Sequence, residues 1–111
     1  MSWSVYLNCD CCGSSLVDQN GTHNVNPMAN AVLADNDMDN EGTWWKQLDG
    51  MGGPDGAHFL DVIIKGMEAD PPRFRAMNPP NGWGDYDGFL DMLRKMRARV
   101  PECHSTWSAS G

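Results

Sequence analysis

Seven prolines divide this chain of 111 residues into short segments, and each proline limits where a helix can begin or end. Asn26 followed by Pro27 predicts a helix start, with the asparagine as N-cap and the proline at the first helical position. Asp70 before Pro71 predicts a helix end, because the residue before a proline avoids the helical region. Pro101 predicts the end of another helix. These breaks indicate three separate helices.

The apolar residues between these breaks recur at helical spacing. The first helix is predicted over residues 26–36 and the third over 87–100, where four basic residues occupy much of the face opposite the apolar one. The middle helix, predicted over 55–69, has the clearest apolar stripe, with a period close to that of an α-helix. Its members are Phe59, Leu60, Ile63, Ile64 and Met67. Residues 36–56 are predicted to form a loop, and a single helical turn is predicted at Phe74.

The N-terminal residues alternate between β-prone and turn-forming segments. Residues 5–7 and 15–17 predict two strands, and the turn formers between them predict a β-hairpin. Residues 18–21 predict a second turn, because they end in Asn-Gly. We therefore expect an α+β fold, a small single domain with an N-terminal β-hairpin packed on about three helices. The domain is predicted to span residues 1–104, with 105–111 as a flexible C-terminal tail.

The chain is acidic, since 15 Asp and Glu residues against 8 Lys and Arg residues give a formal charge of −7. This balance argues against a nucleic-acid partner, which requires a basic surface. The positive charge is concentrated at Arg94, Lys95, Arg97 and Arg99, where it could pair with acidic residues of the same chain or attract a small anion. No apolar run reaches the ~20 residues of a membrane span, and the first residues do not resemble a signal peptide. We expect a cytoplasmic protein without a membrane partner.

Three of the four cysteines lie within four residues of one another. Adjacent Cys11 and Cys12 could form a disulfide only with strain, so reduced thiols are expected in a cytoplasmic setting. Cys9 and Cys12, followed by a glycine, also resemble half of a zinc site. The other ligands would come from His23, Cys103 or His104. A second closely spaced pair of ligands is absent from the sequence, so a hairpin with thiols and no cofactor is the favoured interpretation.

The loop over residues 78–84 contains two prolines and two glycines, which make it stiff and let its backbone approach another group closely. Asn81 offers amide donors and an acceptor, while Trp83 and Tyr86 offer flat faces on which a planar ligand could stack. A stiff loop loses little entropy on binding, which favours recognition. The alternative is structural, with Trp83 covering the core and Asn81 in a turn.

His23 lies between a turn and a predicted helix start, within the sequence Thr22-His23-Asn24. A histidine at this place could act as a general base, ligate a metal or hold the turn by hydrogen bonds. Catalytic triad signatures, metalloprotease motifs and phosphate-binding glycine motifs are absent from the sequence. The sequence therefore favours a non-catalytic role without excluding an enzyme.

Two segments together resemble a known family. Residues 21–29 resemble a Thr-His-Asn-apolar-x-x-Met-Ala motif, and residues 78–89 resemble an Asn-Pro-x-Asn-Gly-Trp-Gly-x-Tyr motif. This pair, in this order, is similar to that of a family of small uncharacterised proteins encoded by tailed bacteriophages. The start of the chain, with residues 6–9, and the last helix fit as well, so the resemblance covers about half of the chain. It implies the cytoplasm of an infected bacterium and no settled biochemical role.

The resemblance favours an accessory protein that binds a small, nucleotide-like ligand or a host protein and so counteracts host defence. If the two motifs meet in space, they form one ligand site. Its predicted residues are Thr22, His23, Asn24, Asn78, Asn81, Trp83 and Tyr86. One alternative is a small enzyme that uses His23 as acid or base on such a ligand. Another is a structural or assembly protein, whose self-contact Trp44 and Trp45 would anchor; a homo-oligomer is compatible with each of these functions.

Overall fold

A three-stranded antiparallel sheet forms one layer of the protein. The computed structural model describes residues 2–38, 43–80, 82, 84–101 and 104–111. Within them the strands are β1 (Ser2–Cys9), β2 (Ser15–Thr22) and β3 (Ser105–Ser110). Their spatial order is β2-β1-β3, so the predicted hairpin forms and its first strand also pairs with a distant third strand.

Helices form the second layer and cover one face of the sheet. In the described part of the chain they are α1 (Asn26–Asp35), α2 (Trp44–Leu48), α3 (Gly53–Ala69), α4 (Pro71–Arg75) and α5 (Tyr86–Ala98). A single 3-10 turn, His23–Val25, precedes α1. The α+β class predicted from the sequence is confirmed. None of the described helices has both the length and the apolar character that crossing a bilayer requires.

The sheet has an apolar face and a polar face, as the alternating burial of residues along β1 shows. Trp3, Val5 and Leu7 point towards the helices and are fully buried, whereas Ser4 and Tyr6 between them are only partly buried. This alternation follows from the two-residue period of a strand. The indole of Trp3 meets that of Trp44 edge to face, with 4.9 Å between ring centroids. The core therefore lies between β1 and the helices.

Helix α1 begins one residue earlier than a cap at Asn26 would require, because Val25 occupies the N-cap position. Thr22 caps the preceding 3-10 turn, because its hydroxyl accepts a hydrogen bond from the backbone N–H of Asn24 at 3.2 Å. Asn26 itself accepts a hydrogen bond from the indole N–H of Trp44 at 2.9 Å. The predicted capping residue is thus used to hold a core tryptophan, and no side chain caps α1.

The prediction that residues 105–111 form a flexible tail is wrong, since β3 occupies most of them. Trp107 is fully buried, and its indole N–H donates a hydrogen bond to the carbonyl oxygen of Gly53 at 3.2 Å. A Cβ atom at Gly56 would lie 2.2 Å from the same indole nitrogen, so α3 approaches Trp107 as closely as glycine allows. One large side chain anchors a segment whose other residues are small or polar.

Two further segments differ from the sequence prediction. Residues 36–56 contain α2, because Trp44 and Trp45 are both buried in the core and hold this turn of helix against the sheet. Residues 18–21 belong to β2 and form no turn. A Cβ at Gly21 would lie 2.3 Å from the Trp3 ring, so this glycine serves close packing across the sheet.

Candidate functional site

The two motif segments meet in the folded protein. Gly84 has φ +88°, a left-handed conformation that favours glycine. A Cβ at this position would lie 2.7 Å from the methyl group of Thr22 and 2.9 Å from a methyl group of Val25. The backbone before α5 therefore packs directly on the Thr-His-Asn segment, which is the condition that a single site built from both motifs requires.

A cavity of about 230 Å³ lies at this meeting point, and we call it the junction cavity. It is lined by Trp3, Gly21, Thr22, Val25, Gly84, Asp85, Gly88, Phe89 and Met92. Trp3 and Phe89 are buried and give it aromatic walls, with 6.4 Å between their ring centroids. Three of the lining residues are glycines, which present only backbone atoms to the cavity. Such a cavity accommodates a small, mostly apolar ring.

The polar groups of the junction cavity are few and already oriented. The indole N–H of Trp3 donates a hydrogen bond to the carbonyl oxygen of Thr22 at 3.0 Å. The Asp85 carboxylate accepts a hydrogen bond from the backbone N–H of Gly88 at 2.6 Å and thereby caps α5. Asp85 is the one charged side chain among the described lining residues.

The residues of the Thr-His-Asn motif separate in space. Thr22 lines the junction cavity, and Asn24 lies in the 3-10 turn whose cap Thr22 provides. The His23 ring instead stacks on Trp45, with 5.9 Å between ring centroids and 29° between planes. Its Nε2 atom is buried and has no hydrogen-bond partner among the described residues. His23 does not line the cavity, so Thr22 and His23 do not share this space.

Tyr86 and Asn78 have structural roles. Tyr86 is only 2% exposed, and its hydroxyl donates a hydrogen bond to the carbonyl oxygen of Met67 at 2.8 Å. Its ring stacks on Phe74 at 6.3 Å, and burial raises the pKa of the phenol. The Asn78 side chain accepts a hydrogen bond from the Tyr86 backbone N–H at 2.8 Å. The predicted stacking face of Tyr86 is therefore part of the core, where no ligand reaches it.

Two predicted ligand residues, Asn81 and Trp83, lie outside the described residues, while their neighbours Gly82 and Gly84 are described. Gly82 has φ +75°, and a Cβ there would meet no atom within 4 Å. Gly82 is thus in open space, whereas Gly84 packs on Thr22.

The three predicted zinc ligands do not come together. Cys9 ends β1 and Cys12 lies in the adjoining turn, whereas His23 follows Thr22, which pairs with Ser2 at the other end of the hairpin. Ser2 and Cys9 are roughly 23 Å apart at about 3.3 Å per strand residue, so one ion cannot contact both ends. Within the described residues, no three His, Cys, Asp or Glu side chains converge on a metal-sized site.

The other zinc candidates add no ligand set. Cys11 and Cys12 are exposed and form no disulfide, which agrees with the expectation of reduced thiols there. His104 is exposed as well. Cys103 lies outside the described residues.

The basic face of α5 is largely paired with acidic residues of neighbouring helices. Arg94 lies 2.9 Å from the Glu68 carboxylate, and Arg97 lies 3.1 Å from that of Asp61 on α3. These side chains are one-third to one-half exposed, so each pair contributes little stability on its own. The positive charge that the basic residues at 94–99 leave available to a ligand is therefore smaller than their number suggests.

The sequence reasoning missed several residues that form the cavity walls, among them Trp3, Phe89 and Met92. Trp3 was readable as an inward position, since it shares the two-residue period of Val5 and Leu7. Comparison with known proteins adds no assignment: no protein-family model, no curated protein and no solved structure matches the chain.

Proposed function

We propose that the protein is a non-catalytic binding protein whose small-ligand site is the junction cavity. One observation carries this proposal: two segments about 60 residues apart in sequence pack against each other and leave an aromatic-walled space of about 230 Å³. A pocket with apolar walls and a few fixed polar groups is the usual form of a ligand site. The oriented groups here are the Thr22 side chain and the Asp85 carboxylate.

The lining restricts the class of ligand. Drug-sized molecules occupy pockets of roughly 300–1,000 Å³, so the junction cavity fits one ring system rather than a whole nucleotide. A phosphate group would meet the Asp85 carboxylate and no basic side chain among the described lining residues. The nucleotide-like ligand expected from the sequence is thereby narrowed to a neutral or cationic planar ring, such as a free base or an aromatic amine.

The biological setting in this proposal comes from the resemblance to tailed-bacteriophage proteins. The protein is an accessory factor in an infected bacterium, and capture of a small molecule or of a host protein counteracts host defence. The enzyme alternative receives no support from the position of His23, which stacks on Trp45 outside the cavity. The assembly alternative loses its predicted anchor, because Trp44 and Trp45 are buried within the chain.

Fragment binding followed by two-dimensional ¹H–¹⁵N NMR tests the proposal. The probes are adenine, cytosine, benzylamine and benzoate, which differ in ring size and charge. We expect neutral and cationic rings to shift the backbone amide signals of Gly21, Gly84 and Gly88, and benzoate to leave them unchanged. Glycine amides are convenient reporters, because they resonate in a resolved region and all three line the cavity.

A matched pair of variants at Met92 separates binding in the cavity from binding elsewhere. Met92→Trp places a larger side chain at the half-exposed cavity wall and should abolish the shifts, while Met92→Leu preserves the size of the side chain and should retain them. Shifts that survive in the tryptophan variant, or strong binding of benzoate, would contradict the proposal. So would the absence of any shift in the wild-type protein at millimolar probe.

A further inference from the structure

The two outer strands of the sheet differ in how their edges are covered. On β3, the N–H of Trp107 donates to Met51 O and the N–H of Gly50 donates to Trp107 O, both at 2.8 Å. The N–H of Ala109 also donates to the Asp49 carboxylate at 2.9 Å. The outer edge of β2 makes no backbone hydrogen bond to any other segment among the described residues. An uncovered edge is a template for another strand.

The hydrogen-bond pattern identifies which groups of β2 face this open edge. In an antiparallel sheet, successive residues direct their N–H and C=O groups to opposite sides of the strand. The N–H and C=O groups of Trp107 point away from β1. Leu7, which lies opposite Trp107, therefore directs its N–H and C=O groups towards β2, where Leu7 lies opposite Val17. Val17 therefore pairs with β1. Asp18 and Asn20, which follow it in the regular part of the ladder, present their N–H and C=O groups outwards. The pairing register shifts between Val17 and Ser15, so the alternation does not extend to Leu16.

A groove of about 470 Å³ runs along the same edge, and we call it the edge groove. It is lined by residues 15–19 of β2 and by Lys95, Met96, Ala98 and Arg99 of the C-terminal part of α5. A groove on one face of a strand would be lined by alternate residues, because successive side chains point to opposite faces. Five consecutive lining residues show that the groove follows the edge itself.

The helix side of the edge groove is positively charged. Arg99 is exposed and makes no ion pair with any described residue. Lys95 lies 2.9 Å from the Asp91 carboxylate in a pair that is more than half exposed, so water and a competing anion both reach it. The acidic residue on the strand, Asp18, lies opposite Tyr6 on the face away from the helices. A strand added beside β2 would thus present every second side chain to Lys95 and Arg99.

We propose that the edge groove binds an extended acidic peptide of a partner protein as a fourth strand beside β2. Backbone hydrogen bonds to Asp18 and Asn20 hold the peptide, and its acidic side chains contact Lys95 and Arg99. This is β-strand addition, in which the main chain supplies affinity and alternate side chains supply specificity. A second copy of this chain fits less well, since its β2 carries a single acidic residue and both bodies are acidic. The site is separate from the junction cavity and does not depend on it.

Fluorescence anisotropy with a designed peptide tests this proposal. The probe is a fluorescein-labelled peptide of the length of β2, 8 residues, which alternates threonine with glutamate. A second peptide has lysine in place of glutamate. We expect the glutamate peptide to bind about ten-fold more tightly, because ion pairs of partly exposed groups favour it and like charges disfavour the other. Equal affinity of the two peptides would overturn the proposal.

Variants of the protein and of the peptide backbone locate the binding. Arg99→Glu should weaken binding of the glutamate peptide about ten-fold, whereas Lys65→Glu, the same charge change at an exposed position of α3, should change it by less than about two-fold. N-methylation of alternate peptide amides should abolish binding in one register and not in the other, because only every second amide faces β2. If the peptides methylated in both registers lose binding, or if neither does, strand addition is contradicted.

Sedimentation equilibrium distinguishes a second copy as the occupant. Asp18→Pro removes an outward N–H group, a substitution that edge strands tolerate, and circular dichroism confirms that the variant is folded. We expect the wild-type chain and this variant to have the same mass, and the variant to lose peptide binding. A wild-type dimer that this variant dissociates would assign the edge to a second copy and overturn the proposal.

Discussion

Replacing Tyr86 with phenylalanine removes one hydroxyl group from the core and preserves the ring that stacks on Phe74. The hydroxyl donates to the carbonyl oxygen of Met67, near the end of α3. In a continuing helix that carbonyl would accept from the N–H four residues later, but residue 71 is a proline and has none. Tyr86 therefore supplies the missing donor.

The cost of the substitution follows from these contacts. A buried hydrogen bond contributes about 1 kcal/mol, and leaving the Met67 carbonyl without a partner adds a penalty of similar size, for a total of about 2 kcal/mol. In a domain of this length that corresponds to a fall of roughly 8 °C in melting temperature. Urea unfolding followed by circular dichroism measures the free energy, and a thermal scan measures the midpoint.

Tyr6→Phe is the matched control, since Tyr6 is the other tyrosine and lies half-buried on the polar face of the sheet. It should change the free energy of unfolding by less than about 0.5 kcal/mol. Equal effects of the two substitutions would refute the capping role of Tyr86.

The same hydroxyl predicts a pH dependence of stability. Burial raises the pKa of Tyr86 above its unfolded value of about 10. Its contribution is therefore complete below about pH 10 and is lost as the pH rises through the folded pKa. The Tyr86→Phe variant should lack this part of the alkaline loss of stability. If the difference in free energy of unfolding between the wild-type protein and the variant stays constant from pH 8 to 11, this reasoning is contradicted.

Two further predictions concern packing, and urea unfolding measures both. Trp107→Ala should lower the free energy of unfolding by about 3–5 kcal/mol, because it empties a fully buried indole site. Ser108→Ala on the same strand should lower it by less than about 0.5 kcal/mol. Gly82→Ala should cost about 1 kcal/mol for its positive φ alone, and Gly84→Ala about 3 kcal/mol, because its Cβ also meets Thr22. Similar losses at the two glycines would show that the motif segments do not pack closely.

The elements that local patterns specify were predictable. The stripe from Phe59 to Met67 defined α3 to within two residues at its start, because helical period and a proline stop agree there. Residues 18–21 were misread, because Asn-Gly favours a turn locally while Trp3 across the sheet requires the glycine in β2. β3 was missed because it depends on a single apolar anchor, Trp107, and on a partner strand far away in sequence.

The candidate site was predictable in its location and less so in its residues. Two motifs of unusual composition indicated the segments that meet, and the contact of Gly84 with Thr22 brings them together. No periodic pattern indicates the direction of the Tyr86 side chain, because this residue precedes the predicted third helix. Tyr86 was expected to face a ligand and lies in the core, whereas Trp3 forms a wall of the cavity and was not considered.

The central position of β1 has a consequence for the order of folding. One of its neighbours, β2, is joined to it by a short turn, but pairing with β3 spans nearly the whole chain, as the hydrogen bond between Thr106 and Asp10, 96 residues apart, illustrates. Closing so long a loop is slow, whereas a hairpin forms in microseconds. Trp107 should thus reach its site in the core late, in the step that completes the sheet.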